Sequence, residues 1–246
     1  MTPTGQPKFA RLVERIHAVT EDIRRTDGTY EPNFKPGLTT FPIPFFGNIF
    51  TAKDLTIGVI PSSDEFVGRN WAAFVDADAL THRLLHYFES PPGPHPWFSR
   101  WSEALALLGI DYSRGEAAHL DLSPRATLSM SSVPDMNLFL GMISHDLRWF
   151  FDFLGECTQG RLLMAAGTVT ERWYLNQFLA LHGPQHRLEI QPPPQNSDRC
   201  ALYEATHRGK NLPLFFSSVS PSNLSRSHVL VENVRTYRDQ LSRLIN

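Results

Sequence analysis

Apolar positions recur on a helical period near the start of the chain. In residues 8–25, Phe9, Leu12, Val13, Ile16, Val19 and Ile23 fall on one face, which predicts an opening helix. Residues 26–50 are rich in glycine, proline and aromatics and read as an ordered loop ending in the apolar run 41–46. A short apolar strand follows at 55–60. Helical patterns at 78–90 and 98–109 flank a proline-rich turn at 91–97. Residues 117–122 form a second strand, ended by Pro124, and 135–157 a helix with many aromatics. The run 161–166 is a third strand closed by Gly167. Thr170 caps a helix at 171–182, with Glu171 favourable in its first turn. Residues 188–191 read as a short edge strand, 212–219 as a further strand, 220–227 as a loop and 228–245 as a last helix.

Strands alternating with helices predict a three-layer α/β/α sandwich around a mostly parallel central sheet of about four strands. Strands that are apolar throughout, such as 162–166, fit burial on both faces. The expected organisation is one domain over 1–246, with the helix and loop of 1–50 packed on it. In such folds the working groups sit at the carboxyl ends of strands. That singles out three loops: 58–71, 121–127 and 217–227.

Composition changes this picture little. The chain has 41% hydrophobic and 20% charged residues, as an ordered globular protein does. No apolar run reaches the roughly 18 residues that cross a bilayer, and the first residues lack the apolar stretch of a signal peptide. A cytoplasmic monomer without membrane contact is expected. Cys157 and Cys200 are too few for an iron–sulfur cluster or a structural zinc site and read as inert thiols. No metal and no cofactor is expected. The net charge is −2, but residues from Arg199 onward hold seven bases against three acids. That quarter suits either a polyanion or the solvated side of a last helix.

The loops carry candidate chemistry. After the first strand, Gly58 allows close approach, and Ser62, Ser63 and their amides suit an anion or a carbonyl oxygen. An ordinary strand-to-helix turn has the same composition. On the second strand, His119, Asp121 and Ser123 fall on one side and Leu120 and Leu122 on the other. Polar groups on a buried strand must be paired, so they mark a site or a structural network. The third loop holds Ser217, Ser218, Ser220, Ser222 and Ser225 with Asn223 and Arg226 before the last helix. Its free amides suit a phosphate, whereas helix capping alone uses one or two serines.

Together the three loops resemble the uracil-DNA glycosylase superfamily. Gly58-Val59-Ile60-Pro61-Ser62 stands where that superfamily has Gly-x-x-Pro and a small residue. Glu65 and Gly68-Arg69-Asn70-Trp71 are similar to an acid followed by Gly-Arg-Pro-Phe. Ser123-Pro124 ends the middle strand, and Ser220-Pro221-Ser222-Asn223-Leu224-Ser225-Arg226 is similar to the last motif, Asn-Pro-Ser-Gly-Leu-Ser-Arg. The resemblance spans roughly residues 45–240. The chain departs from the pattern at Ile60, where an acid or amide usually orients water, and at Ser220, where histidine or asparagine is usual. It has two cysteines where the iron–sulfur branch has four.

The resemblance implies an enzyme that flips uracil, or another deaminated base, out of single- or double-stranded DNA and hydrolyses its N-glycosidic bond. Trp71 would stack on the base, and Asp121, Ser123 or His119 would read its edge. Gly58, Ile60, Pro61 and Ser62 would wall the pocket, with Asn70 holding water. Ser218 and the 220–226 loop would seat phosphates, with Leu224 as a wedge and Arg226 supplying charge. Isoleucine cannot activate water, so the acid would be Glu65, Asp64 or Asp121, and Ser220 would donate to a base oxygen. Two other readings compete. One is a non-catalytic DNA- or nucleotide-binding module of the same fold. The other is an unrelated hydrolase, against which stands the lack of a Gly-x-Ser-x-Gly elbow.

Overall fold

A computed structural model of the chain describes residues 6–30, 42–61, 76–91, 93–125, 136–157, 160–165, 188–191, 200–217, 219, 221 and 227–243. The first helix, α1, runs Gln6–Tyr30 and buries Leu12, Ile16 and Val19, as the periodicity predicts. It is followed by β1 (Phe45–Phe46), β2 (Asp54–Gly58), α2 (Ala77–Leu85), α3 (Phe98–Ala106), a single 3-10 turn (Tyr112–Arg114) and β3 (Ala117–Asp121). Then come α4 (Met136–Leu154), β4 (Arg161–Ala165), β5 (Leu188–Gln191), β6 (Cys200–His207), β7 (Lys210–Asn211), β8 (Leu214–Ser217), α5 (His228–Thr236) and α6 (Arg238–Arg243). The expected helix at 171–182 lies outside the described residues.

The sheet is larger and more mixed than the sequence pattern implies. Its order is β1-β3-β2-β4-β8-β6-β5, with β7 paired to β6. The four strands β3, β2, β4 and β8 are mutually parallel and form its centre. On one edge β1 pairs antiparallel with β3, and on the other β6 pairs antiparallel with β8 and β5. The expected parallel core of about four strands is therefore present, with the expected edge strand at 188–191 as β5, and it is extended by β1, β6 and β7, which the apolar pattern did not mark. Between β6 and β7 the chain reverses through Arg208 at φ 51° and Gly209 at φ 77°, left-handed positions of the kind tight hairpins need.

Side chains fix the helices to the sheet. In β1, Phe45 packs against Phe153 of α4, while its neighbour Phe46 packs against Phe98 of α3. Helix α1 contacts α2 and α4, and α3 contacts α5. At the amino ends of the parallel strands, Arg161 of β4 makes a two-pronged ion pair with Asp54 of β2, at 2.7 and 2.6 Å. Its third nitrogen reaches the Leu241 carbonyl at 2.6 Å. Both charged groups are fully buried, and burial raises the Asp54 carboxyl against the pull of Arg161. Among the described residues, no helix is long and apolar enough to cross a membrane.

Candidate functional site

The strand order decides where a ligand would sit. β3 and β4 lie on either side of β2, so the crossover from β2 runs to one side and the next returns past β2 to β4 on the other. In open α/β sheets that reversal opens a crevice outside the carboxyl ends. The described residues there are 59–61 after β2 and 122–125 after β3, with Val219 and Pro221 following β8.

Gly58 and Asp121 are register partners at the ends of β2 and β3. A Cβ on residue 58 would lie 2.3 Å from Asp121 Oδ1 and 2.8 Å from His119 Nε2. Only glycine lets these two side chains approach the β2 backbone so closely. His119, two residues earlier in β3, is register partner to Thr56. Its Nδ1 lies 2.8 Å from Thr56 Oγ1, which also meets the Tyr112 hydroxyl at 2.5 Å and the Ala118 carbonyl at 3.3 Å. The imidazole is walled by the rings of Phe46, Trp97 and Phe98. Its Nε2 is 3.4 Å from Asp121 Oδ1.

Asp121 is the unusual group. It is only 3% exposed, yet its Oδ2 has no hydrogen-bond partner among the described residues. A buried carboxylate oxygen left unpaired costs stability, by about 1–3 kcal/mol or more for a charged group. Such a group in a native fold calls for an explanation, and a ligand atom is a sufficient one.

No protein-family model matches the chain, and no curated protein matches it.

The remaining sequence-predicted residues divide in two. Ser123 is fully buried, but its hydroxyl donates to Asp146 of α4 at 2.6 Å and accepts the Arg125 amide at 3.2 Å. Arg125 also donates to Asp146 through Nε at 2.9 Å and to Thr26 of α1 at 2.6 Å. Ser123 therefore belongs to a network that fastens the loop after β3 to two helices, the structural alternative for that polar face. Ile60 is half-buried and packs with Val59 against the apolar core, and Pro61 and Pro221 are buried. Ser62, Asp64, Glu65, Asn70, Trp71, Ser218, Ser220, Ser222, Asn223, Leu224, Ser225 and Arg226 lie outside the described residues.

Asp22, His145 and Asp146 bring ligand-type atoms within 4.8 Å of one another. Their charges are already matched. Asp22 receives Arg148 at 2.5 Å, Trp149 Nε1 at 2.8 Å and His145 Nε2 at 3.1 Å, while Arg125 and Ser123 occupy Asp146. This cluster ties α1 to α4. Both cysteines are buried and neither is in a disulfide, and burial pushes the Cys157 thiol up to about 12, an inert thiol as expected. The sequence reading missed Thr56 and Tyr112. The available signal was a threonine inside an otherwise apolar strand, two residues before Gly58.

Proposed function

We propose that the protein is a DNA N-glycosylase, which takes a deaminated base such as uracil out of the strand and hydrolyses its N-glycosidic bond. One observation carries this reading. A buried carboxylate oxygen without a partner among the described residues stands at the carboxyl end of β3, packed on the backbone of Gly58 at the end of β2. Hydrolysis through an oxocarbenium-like state needs an acceptor for the proton of the attacking water. Ile60 supplies none, and Asp121 does. Asp64 and Glu65 are the other candidate acids. With Ser123 engaged by Asp146 and both nitrogens of His119 facing Thr56 and Asp121, reading of the base edge falls to Asp121. Trp71 would stack on the base, Ser220 would donate to a base oxygen, and the 218–226 loop would seat phosphates. A three-layer sandwich is supported by the opposite facing of Phe45 and Phe46 toward α4 and α3. The protein would act as a cytoplasmic monomer.

The test is release of base from single- and double-stranded oligonucleotides carrying uracil or hypoxanthine, read as alkali-labile apurinic sites. The wild type should release base, and Asp121→Asn should be slower by about 10²–10⁴-fold. No release of any deaminated base would overturn the enzymatic reading. One observation favours a binding module instead: the Ile60 side chain serves the core. DNA binding that falls steeply with salt, without base release, would establish that alternative.

A further inference from the structure

We infer that Tyr112 and Thr56 are positioning residues that fix the tautomer of His119, and through it the orientation of the Asp121 carboxylate. The inference rests on the glycosylase reading only for its catalytic consequence. The hydrogen-bond chain itself is built into the fold. Tyr112 is buried, and burial keeps its phenol protonated. Thr56 Oγ1 stands 2.5 Å from its oxygen; either hydroxyl could donate, and we take Tyr112 as the donor and Thr56 as the acceptor. Thr56 then has one proton to give and two acceptors in reach, His119 Nδ1 at 2.8 Å and the Ala118 carbonyl at 3.3 Å. The nearer one is the ring nitrogen. With Nδ1 accepting, the neutral imidazole carries its proton on Nε2, the atom 3.4 Å from Asp121 Oδ1.

The chain Tyr112 to Thr56 to His119 thus puts the ring proton on the nitrogen 3.4 Å from Oδ1, an ionic contact rather than a hydrogen bond, and leaves Oδ2 as the open acceptor. Histidine ligands and catalytic histidines are held in the same way, with the group on one ring nitrogen setting what the other can do. Among the described residues, the groups that face His119 are Asp121 from its own strand, Thr56 from β2, Tyr112 from the turn before β3, and the rings of Phe46, Trp97 and Phe98. Asp121 is the charged one in that set. In the reaction, water loses a proton to Asp121 Oδ2 as its oxygen bonds the sugar C1′. The C1′–N bond breaks and its electron pair leaves on the base. The departing base takes up that proton, so one water is consumed and Asp121 is regenerated.

The experiment is nitrogen NMR of histidine-labelled protein at a pH where the ring is neutral, with the His119 signals assigned by their loss in His119→Gln. The wild type and Thr56→Ser should show His119 protonated on Nε2. Thr56→Val keeps the shape of the side chain but loses the hydroxyl, and should let the Nδ1-protonated form appear. Base release should fall about tenfold in kcat for Thr56→Val, the worth of one hydrogen bond, with KM unchanged, and return in Thr56→Ser. A wild-type ring protonated on Nδ1, or a Thr56→Val protein with unchanged tautomer and kcat, would overturn the inference. An Nε2-protonated ring in a protein that releases no base would support the chain and count against the glycosylase reading alone.

Discussion

Replacing Gly58 with alanine isolates the close packing at the carboxyl ends of β2 and β3. The added methyl would stand 2.3 Å from Asp121 Oδ1 and 2.8 Å from His119 Nε2, well inside contact distance. Both neighbours are buried, so neither side chain swings away into water. Overpacking of this kind costs about 1–3 kcal/mol. A restricted unfolded chain returns about 0.4–1 kcal/mol on exchanging glycine for alanine. The net expectation is a loss of roughly 1–2 kcal/mol, read as a lower urea midpoint with an unchanged slope. Asp121→Ala should have the opposite sign, because it removes a buried carboxylate with an unpaired oxygen. In the double variant the methyl has room, so the two effects must not add. A coupling of about 1 kcal/mol or more is expected between side chains in direct contact. If Gly58→Ala matches the wild type and the cycle closes to zero, the Asp121 carboxylate does not pack on Gly58.

Acid titration reports on a second buried carboxylate. Burial works to raise Asp22, but the hydrogen bonds from Arg148, Trp149 and His145 outweigh it and hold the group at about 2, against an ordinary 3.8. Its folded form binds a proton later than the unfolded chain does, so its contribution of about 2 kcal/mol is present above about pH 4 and lost as pH falls through about 2. The stability gap between wild type and Asp22→Asn in urea should close over that window; a gap that stays constant down to the lower end would contradict the assignment. Arg161→Met should lose about 3–5 kcal/mol by stranding the Asp54 carboxylate, whereas Asp54→Leu with Arg161→Met should recover most of it; equal losses in both proteins would show that the pair is not what the single change breaks. Iodoacetamide at mildly alkaline pH should leave Cys157 unlabelled in the folded protein and label it in urea, since burial pushes that thiol up to about 12; labelling of the native chain at the unfolded rate would refute its burial.

The parts of the fold legible in the sequence are those with their own local signal. Helix α1 and the strands β2, β3, β4 and β8 carry apolar periods or runs that need no partner to be seen. β1 is two phenylalanines in a proline-rich loop, too short for any period, and it is a strand only because Phe45 and Phe46 pair with Leu120 and His119. β6 has no clean alternation and takes its state from β8 and β5 on either side. The site divides in the same way. His119 and Asp121 show as polar residues alternating along an apolar strand. Their supports do not, because Tyr112 is 56 residues from Thr56 and only the β2–β3 register brings the two together. Ser123 carried the right signal with two possible meanings, and Asp146, 23 residues on and buried in α4, selects the structural one.

Arg161 also sets an order of events as the chain is made. Asp54 emerges 107 residues before the arginine that neutralises it, which is roughly 5–20 s of synthesis at about 5–20 residues per second. The arginine in turn waits a further 80 residues for the Leu241 carbonyl. Until Arg161 emerges β2 cannot bury Asp54 without stranding a charge, and until Leu241 emerges the buried arginine lacks its third acceptor, so the first half of the sheet has no stable resting place of its own. A ribosome-bound chain ending before Leu241 should stay open to protease along β2 and β4, and close in one step when the last helix is released.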